Sequence, residues 1–506
     1  MPSTRLFELR GAAPLLPRRG VVPGIAILAA SLAACLSTPH APFRVDRAGK
    51  VLPPVSTSVE DLADASEQAE VRAHSIENHP GFLLGFVEFD DQGEFWRREQ
   101  VDLLERAITE RVARDGSSTV LVIVFAHGWR HGSDVCDDHV ACFREVLTHV
   151  HEDDVQIRSA LGPDARPETI VGVHVGWRGL SLRSPFSGLS FFARNGAARR
   201  VGNGDVVELL TRLDVLVHRV GGGMGERSRL VLVGHSFGAT VLYTALSGIL
   251  KRDVARAIAE GPARSPGGRS PVIRGLGDLL VLVNPAFEAS LLSSLDTLAS
   301  RVPAYSPFQP PFLVIVSSET DRATKALFPI GRWFETAFEK TRDGEQREAT
   351  RTSVGNWGPY ESYRLETRAP PGVAAAEELE VSNCACSLAR TVIDPGELDL
   401  LLRFWSPEEI AVRAAALAAS NEESCEAIRS YGRARLVCTR PVSRRNPIWV
   451  VTASKEVLDG HGRFFGDTIL DFFRWVVLEA GILEAARAAV EATAVTAPEA
   501  AATGSR

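Results

Sequence analysis

The sequence predicts an α/β fold in which a mostly parallel central sheet is flanked by helices. From Gly81 onward, apolar runs of strand length alternate with amphipathic stretches of helix length, the pattern of parallel sheets with helical crossovers. The runs are apolar along nearly their whole length, as in strands that are buried on both faces. The predicted strands are Thr119–Ala126, Thr169–Val175, Arg229–Val233, Leu279–Val283, Phe312–Val316 and Ile448–Thr452, with Phe82–Phe89 as a candidate edge strand.

Composition supports a folded globular protein and excludes several classes. The 506 residues are 45% hydrophobic and 24% charged, which is ordinary for a folded chain and excludes wholesale disorder. The net charge of −7 provides no basic footprint for nucleic acid. The 42 Gly and 29 Pro follow no period, so collagen-like and repeat architectures are excluded.

The N-terminus has the order of features of an export signal, assigned to residues 1–34. A leader with four arginines precedes the apolar run Val21–Ala34, which is too short for a membrane-spanning helix of about 20 residues. The run ends in Leu32-Ala33-Ala34-Cys35, which resembles the lipobox of bacterial lipoproteins. The resemblance implies cleavage before Cys35, lipid attachment to that cysteine and a place in the bacterial cell envelope. Leu36, rather than Asp, favours the outer membrane. The alternative is an ordinary secretory signal that happens to precede a cysteine.

The remaining cysteines form an even set that fits an oxidising compartment. Cys136 and Cys142 lie close enough in sequence to close a small loop, and we predict a disulfide between them. The pairing of the other four is left open, with buried free thiols as the alternative. These four are Cys384, Cys386, Cys425 and Cys438.

The chain divides into a tether, one large domain and a tail. Residues 35–80 are polar and rich in Pro, Ser and Ala, which predicts a flexible tether. Residues 81–485 form the predicted catalytic-type domain. Within it, 322–446 is too long for a simple crossover and predicts an inserted subdomain or lid before the last strand. Residues 486–506 are rich in Ala, Thr and Glu and predict a disordered tail.

The motif that carries chemistry is Gly234-His235-Ser236-Phe237-Gly238, between a predicted strand and a predicted helix. The turn from strand to helix is tight, so the flanking positions require glycine, and the serine hydroxyl is left exposed at the carboxyl end of the sheet. A glycine-rich turn with an incidental serine is the alternative. In this motif and its setting the chain resembles the α/β-hydrolase superfamily, specifically its bacterial esterase- and lipase-like members with a His-Gly-Trp turn. The resemblance implies an eight-stranded, mostly parallel sheet and a triad in the order nucleophile, acid, histidine.

That order restricts the other two triad members. His461, in a glycine-rich loop after the last apolar strand, is the sole histidine beyond the motif. Asp321 follows the strand Phe312–Val316 after a short turn and is the predicted acid, with Glu319 as the alternative. In the implied mechanism Ser236 attacks an acyl carbonyl, His461 moves the proton, and Asp321 fixes the imidazole tautomer.

Two backbone N–H groups are predicted to form the oxyanion hole. One belongs to Phe237, directly after the nucleophile. The resemblance implies that the other belongs to Trp129, in the loop His127-Gly128-Trp129 that follows a strand. His127 is predicted to brace that loop. The His- and Asp-rich segment 130–139 matches no zinc spacing, so a solvated loop is favoured over a metal site.

The predicted function is a serine hydrolase that cleaves carboxylic esters of small molecules or lipids through an acyl-enzyme intermediate. The alternatives are a non-catalytic envelope lipoprotein that uses the fold as a binding module, and a peptidase or amidase. No phosphate-binding glycine pattern is present, so no cofactor and no metal are predicted.

Overall fold

A computed structural model describes much of the chain. The described residues are 41–162, 165–181, 187–220, 227–264, 272–368, 380–382, 385–387, 393, 398–399, 402, 412, 429–440 and 445–496. The export signal and Cys35 therefore lie outside the described residues, as do Cys384 and Cys425.

Strands and helices alternate through most of the described chain. The strands are β1 Val55–Ser56, β2 Ile76–Asn78, β3 Phe82–Glu88, β4 Val120–Ala126, β5 Thr169–Gly176, β6 Arg229–His235, β7 Leu279–Val283, β8 Leu313–Ser318, β9 Tyr363–Thr367, β10 Glu380–Ser382, β11 Ala385–Ser387, β12 Arg429–Tyr431, β13 Ala434–Cys438 and β14 Ile448–Ala453. The α-helices are α1 Ala65–Val71, α2 Glu99–Asp115, α3 Asp138–Leu161, α4 Ser187–Asn203, α5 Val206–Val220, α6 Phe237–Arg264, α7 Ser293–Ala299, α8 Phe328–Glu335, α9 Gly344–Arg351 and α10 Asp467–Thr496.

The central sheet has the order β1-β2-β3-β5-β4-β6-β7-β8-β14-β9-β13-β12 within the described residues. The strands from β3 to β9 in this order run parallel, whereas β2, β13 and β12 join in antiparallel pairs. The predicted α/β architecture, with a mostly parallel central sheet flanked by helices, is confirmed. The sheet is wider than the eight strands expected, and β3 lies between β2 and β5, so the prediction that it is an edge strand is wrong.

The continuous apolar runs of the sequence reflect two cores, one on each face of the sheet. Along β4, Val122 and Val124 point to one core, and Leu121 and Phe125 point to the other. Helices α2, α5 and α6 cover the first face, and α3 and α10 cover the second. Because the central strands are parallel, their carboxyl ends meet along one edge, which we call the carboxyl edge.

The segment predicted as a tether is part of the fold from residue 41 onward. Strands β1 and β2 extend the sheet, and the Arg44 side chain is fully buried. The Arg44 guanidinium lies 2.9 Å from the Glu77 carboxylate, which also pairs with Arg144 at 2.7 Å. Polar residues of this segment, whose composition suggested a solvated linker, instead take part in a buried ion-pair network.

The inserted segment and the tail also differ from their predictions. In the described part of 322–446, strands β9, β13 and β12 extend the central sheet beyond β14, so this part is not a separate subdomain. Helix α10 continues to Thr496, with Ala486 fully buried, so the disordered tail does not begin at 486. The alanine-rich sequence there has high helix propensity. Among the described helices, none is long and apolar enough to cross a membrane.

The predicted Cys136–Cys142 disulfide is wrong, because Cys142 is bonded to Cys386. Cys142 lies in the first turns of α3, which packs against β11, and the two Cα atoms are 4.9 Å apart. Cys136 precedes the helix and packs against a small cluster with Leu62, Val71 and Val135. The start of α3 thus directs the two cysteines toward different neighbours, although they are close in sequence. Cys136 and Cys438 each form a disulfide bond as well.

Candidate active site

The nucleophile candidate occupies a strained turn between β6 and α6. Ser236 is the one residue between the end of β6 and the start of α6, and its φ of 55° lies in the left-handed region that β-carbon-bearing residues seldom adopt. A Cβ at Gly238 would lie 1.9 Å from the Ala126 carbonyl oxygen, and one at Gly234 would lie 2.7 Å from the Ala239 Cα. The two glycines are therefore required by direct backbone contacts, as the motif predicted.

The structure brings Ser236, His461 and Asp321 together at the carboxyl edge. The His461 Nε2 atom lies 2.8 Å from the Ser236 Oγ atom, and the His461 Nδ1 atom lies 2.8 Å from the Asp321 Oδ2 atom. With a neutral imidazole, Nδ1–H donates to the carboxylate and Nε2 accepts from the serine hydroxyl. This is the geometry of an activated nucleophile whose base is oriented by an acid.

The Asp321 carboxylate is fixed by its own loop as well as by His461. The Thr324 hydroxyl donates to Oδ2 over 2.6 Å, and the Ala323 N–H donates to Oδ1 over 2.8 Å. Burial alone would raise the pKa of Asp321, but the hydrogen bonds from His461 and Thr324 outweigh it and hold that pKa below its usual value. The carboxylate is therefore charged at neutral pH.

Glu319, the alternative acid, is engaged elsewhere. Its carboxylate accepts from the Lys455 N–H over 3.0 Å and forms an ion pair with Arg364. These contacts tie the end of β8 to the segment after β14 and to β9. The structure thus pairs His461 with Asp321 and gives Glu319 a linking position between strands.

Asn284 and His235 hold the loop that carries the imidazole, and sequence reasoning missed both contacts. Asn284 is fully buried with a φ of 46°. Its Nδ2 group donates to the carbonyl oxygens of Gly460 and His461, over 3.1 and 2.9 Å. The His235 Nε2–H donates to the same His461 carbonyl over 2.8 Å. A polar residue placed directly after the apolar run of β7 was the available signal for Asn284.

Two hydroxyl groups at and just after the end of β8 hold the same loop at Leu458 and Gly460. The Ser318 hydroxyl donates to the Leu458 carbonyl over 2.6 Å. The Gly460 N–H donates to the Thr320 hydroxyl over 2.8 Å, and that hydroxyl lies 3.1 Å from the Asp459 carboxylate. The loop 458–461 is therefore attached to both β7 and β8 before it reaches the imidazole.

The predicted oxyanion loop packs directly against the nucleophile. A Cβ at Gly128 would lie 2.9 Å from the Ser236 Cβ. His127 makes the bracing contacts predicted for it, since its Nε2 accepts from the Trp177 N–H over 3.2 Å and its carbonyl accepts from the Trp177 indole over 3.0 Å. Phe191 contacts both predicted donors through their rings, Trp129 at 5.5 Å and Phe237 at 4.9 Å between centroids. The N–H of Phe237 is at the first position of α6, where the helix offers no internal acceptor.

The histidine-rich segment 130–139, predicted to be a solvated loop, is partly buried: Ser133, Val135 and His139 are buried, whereas Arg130 and Asp138 are exposed. Asp137 accepts from the His139 N–H over 2.9 Å and caps α3, and it also lies 3.0 Å from the His131 Nδ1 atom. Burial lowers the pKa of His127 to about 4 and holds the pKa values of His139 and His235 well below the usual value. These rings are therefore neutral supports. No cluster of three or more potential metal ligands occurs among the residues that the structure describes.

Comparisons with known proteins yield weak structural similarities. No protein-family profile matches the chain, and a comparison with curated proteins finds no match. Among solved structures, a Trichoderma reesei cutinase in complex with a phosphonate inhibitor is similar at 16% identity over 37% of this chain and 65% of that chain, with a TM-score of 0.16. A Legionella pneumophila phospholipase in complex with thio-NAD is similar at 12% identity over 50% of this chain and 47% of that chain, with a TM-score of 0.22. The chain spans less than two thirds of either protein.

Proposed function

We propose that this protein is a serine hydrolase that cleaves carboxylic esters. The observation that carries the proposal is the continuous hydrogen-bonded series from the Ser236 hydroxyl through His461 to Asp321, with both heavy-atom distances at 2.8 Å. The three side chains come from loops after three different strands, and each is fixed by separate contacts. The backbone conformation of Ser236 is unfavourable and lowers stability. A role in nucleophilic attack accounts for this arrangement better than a structural role does.

The proposed reaction proceeds through an acyl-enzyme intermediate. The Ser236 oxygen attacks the ester carbonyl while the His461 Nε2 atom takes its proton, and the alcohol leaves with that proton. Water then attacks the acyl-enzyme by the same route, and the carboxylic acid is released. The charged Asp321 keeps the His461 Nδ1–H in place and stabilises the imidazolium that forms in both steps. The negative charge that develops on the carbonyl oxygen is stabilised by the N–H groups of Phe237 and Trp129.

We also propose that the protein is lipid-anchored through Cys35 at the bacterial cell envelope, with the outer membrane as its site. The support is the order of basic leader, apolar run and Leu-Ala-Ala-Cys in the sequence. The substrate would then be a small-molecule or lipid ester available at that membrane.

An active-site-directed fluorophosphonate probe tests the hydrolase proposal. We expect covalent labelling of the wild-type chain and none of Ser236→Ala, because the probe reacts with an activated serine alone. Ser247→Ala, a serine further along α6, is the matched control and should label like the wild type. Absence of labelling in the wild type, or equal labelling of Ser236→Ala, would reject the proposal and favour a non-catalytic binding module.

A further inference from the structure

An apolar surface projects from the chain shortly after Asp321. Five large apolar side chains in and around α8 are at least half exposed to solvent, and we call them the apolar surface. They are Leu327, Ile330, Trp333, Phe334 and Phe338. Large apolar residues that are exposed side by side mark an interaction site far more often than residues exposed singly.

The inner side of α8 is already fixed to the protein, so the apolar surface is its outer side. Phe328 and Gly331 are buried, and the Arg332 guanidinium lies 3.4 Å from the Glu288 carboxylate. Leu327, Ile330 and Phe334 follow a three- and four-residue spacing that places them on one helical face. The helix is therefore held on one side and exposes aromatic and aliphatic groups on the other.

The charges around this surface have a positive excess, although the whole chain is acidic with a net charge of −7. Residues 322–343 hold five basic side chains and three carboxylates, namely Arg322, Lys325, Arg332, Lys340 and Arg342 against Glu335, Glu339 and Asp343. Arg332 pairs with Glu335 and Arg342 pairs with Asp343. The exposed Arg322, Lys325 and Lys340 form no ion pair among the described residues. Trp and Phe side chains bordered by Lys and Arg suit the boundary of an anionic lipid layer, where rings enter the interface and cations meet the headgroups.

The N-terminal end of the described chain lies on the same edge of the sheet. The ring of Phe43 lies 3.3 Å from the position of a Cβ at Gly132, in the loop after β4, whereas α8 follows β8. The carboxyl ends of these parallel strands share the carboxyl edge. With residues 36–40 between them, Cys35 is within about 20 Å of Ala41 even when the chain is fully extended. An anchor at Cys35 would therefore hold this edge close to a membrane.

We propose that the apolar surface docks the protein onto an anionic lipid bilayer, with the carboxyl edge facing the lipid. The apolar surface itself does not depend on hydrolase activity. The anchor at Cys35 and the delivery of ester lipids to Ser236 rest on the proposed function.

Quenching of Trp333 by brominated lipid tests this proposal in the full-length chain. The protein carries Ser236→Ala, so the result does not depend on hydrolysis, and the vesicles contain phosphatidylcholine with brominated phosphatidylglycerol. We expect tryptophan fluorescence to be quenched, and we expect Trp333→Phe to lose the quenched component. In Phe334→Asp/Phe338→Asp the lipid concentration that gives half-maximal quenching should rise by at least about tenfold, because two rings are lost from the lipid interface.

Leu161→Asp is the matched control, since Leu161 is an exposed apolar residue at the end of α3, on the opposite edge of the sheet. It should leave the quenching unchanged. Equal quenching in the parent and Trp333→Phe would overturn the proposal. So would a dimer that Phe334→Asp/Phe338→Asp converts to a monomer without any lipid quenching, because the surface would then be an interface between two copies. Fluorophosphonate labelling of the chain with Ser236 intact reports separately on the hydrolase site.

Discussion

Asn284 shows how one buried amide can determine the position of a catalytic-type base. Its amide nitrogen donates to the Gly460 and His461 carbonyls, and its Oδ1 atom accepts from the Ser318 N–H over 2.9 Å. The side chain therefore links β7, β8 and the loop after β14. Asn tolerates the left-handed backbone found here better than most residues do, and its side chain is both donor and acceptor.

We expect Asn284→Asp to lower kcat by roughly 10- to 100-fold with little change in KM. A carboxylate has no donor for the two carbonyls, and a displacement of about 1 Å at the base can cost that much. The new charge near His461 should also favour the imidazolium and move the acidic limb of the kcat/KM profile to higher pH. Asn203→Asp, on the exposed surface of α4, is the control for a charge change alone. An unchanged pH profile would mean that Asn284 has a structural role only.

Asp321 and Glu319 can be distinguished kinetically. Asp321→Asn should lower kcat by about 10⁴-fold, because the amide no longer selects the imidazole tautomer that accepts the serine proton. Glu319→Gln should cost less than about tenfold, because Glu319 binds Lys455 and Arg364 rather than His461. Steady-state hydrolysis of nitrophenyl esters by both variants provides the comparison. A larger loss in Glu319→Gln would reverse the assignment.

At the level of elements, the Cys142–Cys386 disulfide attaches β10 and β11 to the domain. These two strands pair with each other rather than with the central sheet, and β11 lies against α3. The bond joins residues that are 244 positions apart, so it restricts the unfolded chain strongly.

We expect Cys142→Ala/Cys386→Ala to lower the free energy of unfolding by about 2–5 kcal/mol. Denaturant titration of the oxidised proteins measures this difference. Adding reductant to both proteins should remove most of the gap, since the wild type then loses the same bond. A gap that persists in reductant would indicate that lost packing, rather than the bond, causes the effect.

The elements that sequence predicted best are those whose pattern has one physical cause. Strands β4, β6, β8 and β14 are buried on both faces, so their apolar runs were unambiguous, and the loops after all four supplied the triad and oxyanion candidates. The sequence around a cysteine or a buried charged residue carries no such local signal for the residue with which it pairs. The pairing of Cys142 depends on the direction in which α3 packs, and the burial of Arg44 depends on Glu77, which is distant in sequence. Polar residues that pair inside a fold have the same composition as a linker.

On the scale of the whole molecule, the carboxyl edge is supported by buried neutral histidines. The rings of His127 and His174 are stacked with centroids 5.3 Å apart, and His139 lies against His235 at 5.3 Å. Burial lowers the pKa of all four. Protonation of any of them would place a charge in the support of the oxyanion loop or the nucleophile turn.

The free energy of unfolding should therefore decline in acid, and protonation of His127 should account for a measurable part of that decline. Its pKa falls from 6.5 to about 4 on folding, so the unfolded chain binds more protons between these pH values. The stabilisation from the neutral ring is complete above pH 6.5 and is lost as the pH falls toward 4, by up to about 1.4 kcal/mol per pH unit. Urea unfolding between pH 7.5 and 5 should show a shallower decline for His127→Gln than for the wild type.

Other groups change the free energy of unfolding with pH in the opposite direction, so the curve of His127→Gln has to be compared with that of the wild type. Burial raises the pKa values of Asp153 and Asp154 to about 6, so their contribution falls as the pH rises. His218→Gln, at an exposed site on α5, should follow the wild-type curve. Parallel curves for His127→Gln and the wild type would contradict the prediction.

The backbone contact between Gly238 and Ala126 separates positions that cannot accept a side chain from positions that can be substituted. No side chain can be inserted between the turn at 234–238 and the start of the loop at 127, because the backbones already touch there. New selectivity in this scaffold is therefore expected from side chains beside the turn, such as Trp129 and Phe191, whose rings contact each other. Engineering of this edge would begin with those two positions and leave the glycines untouched.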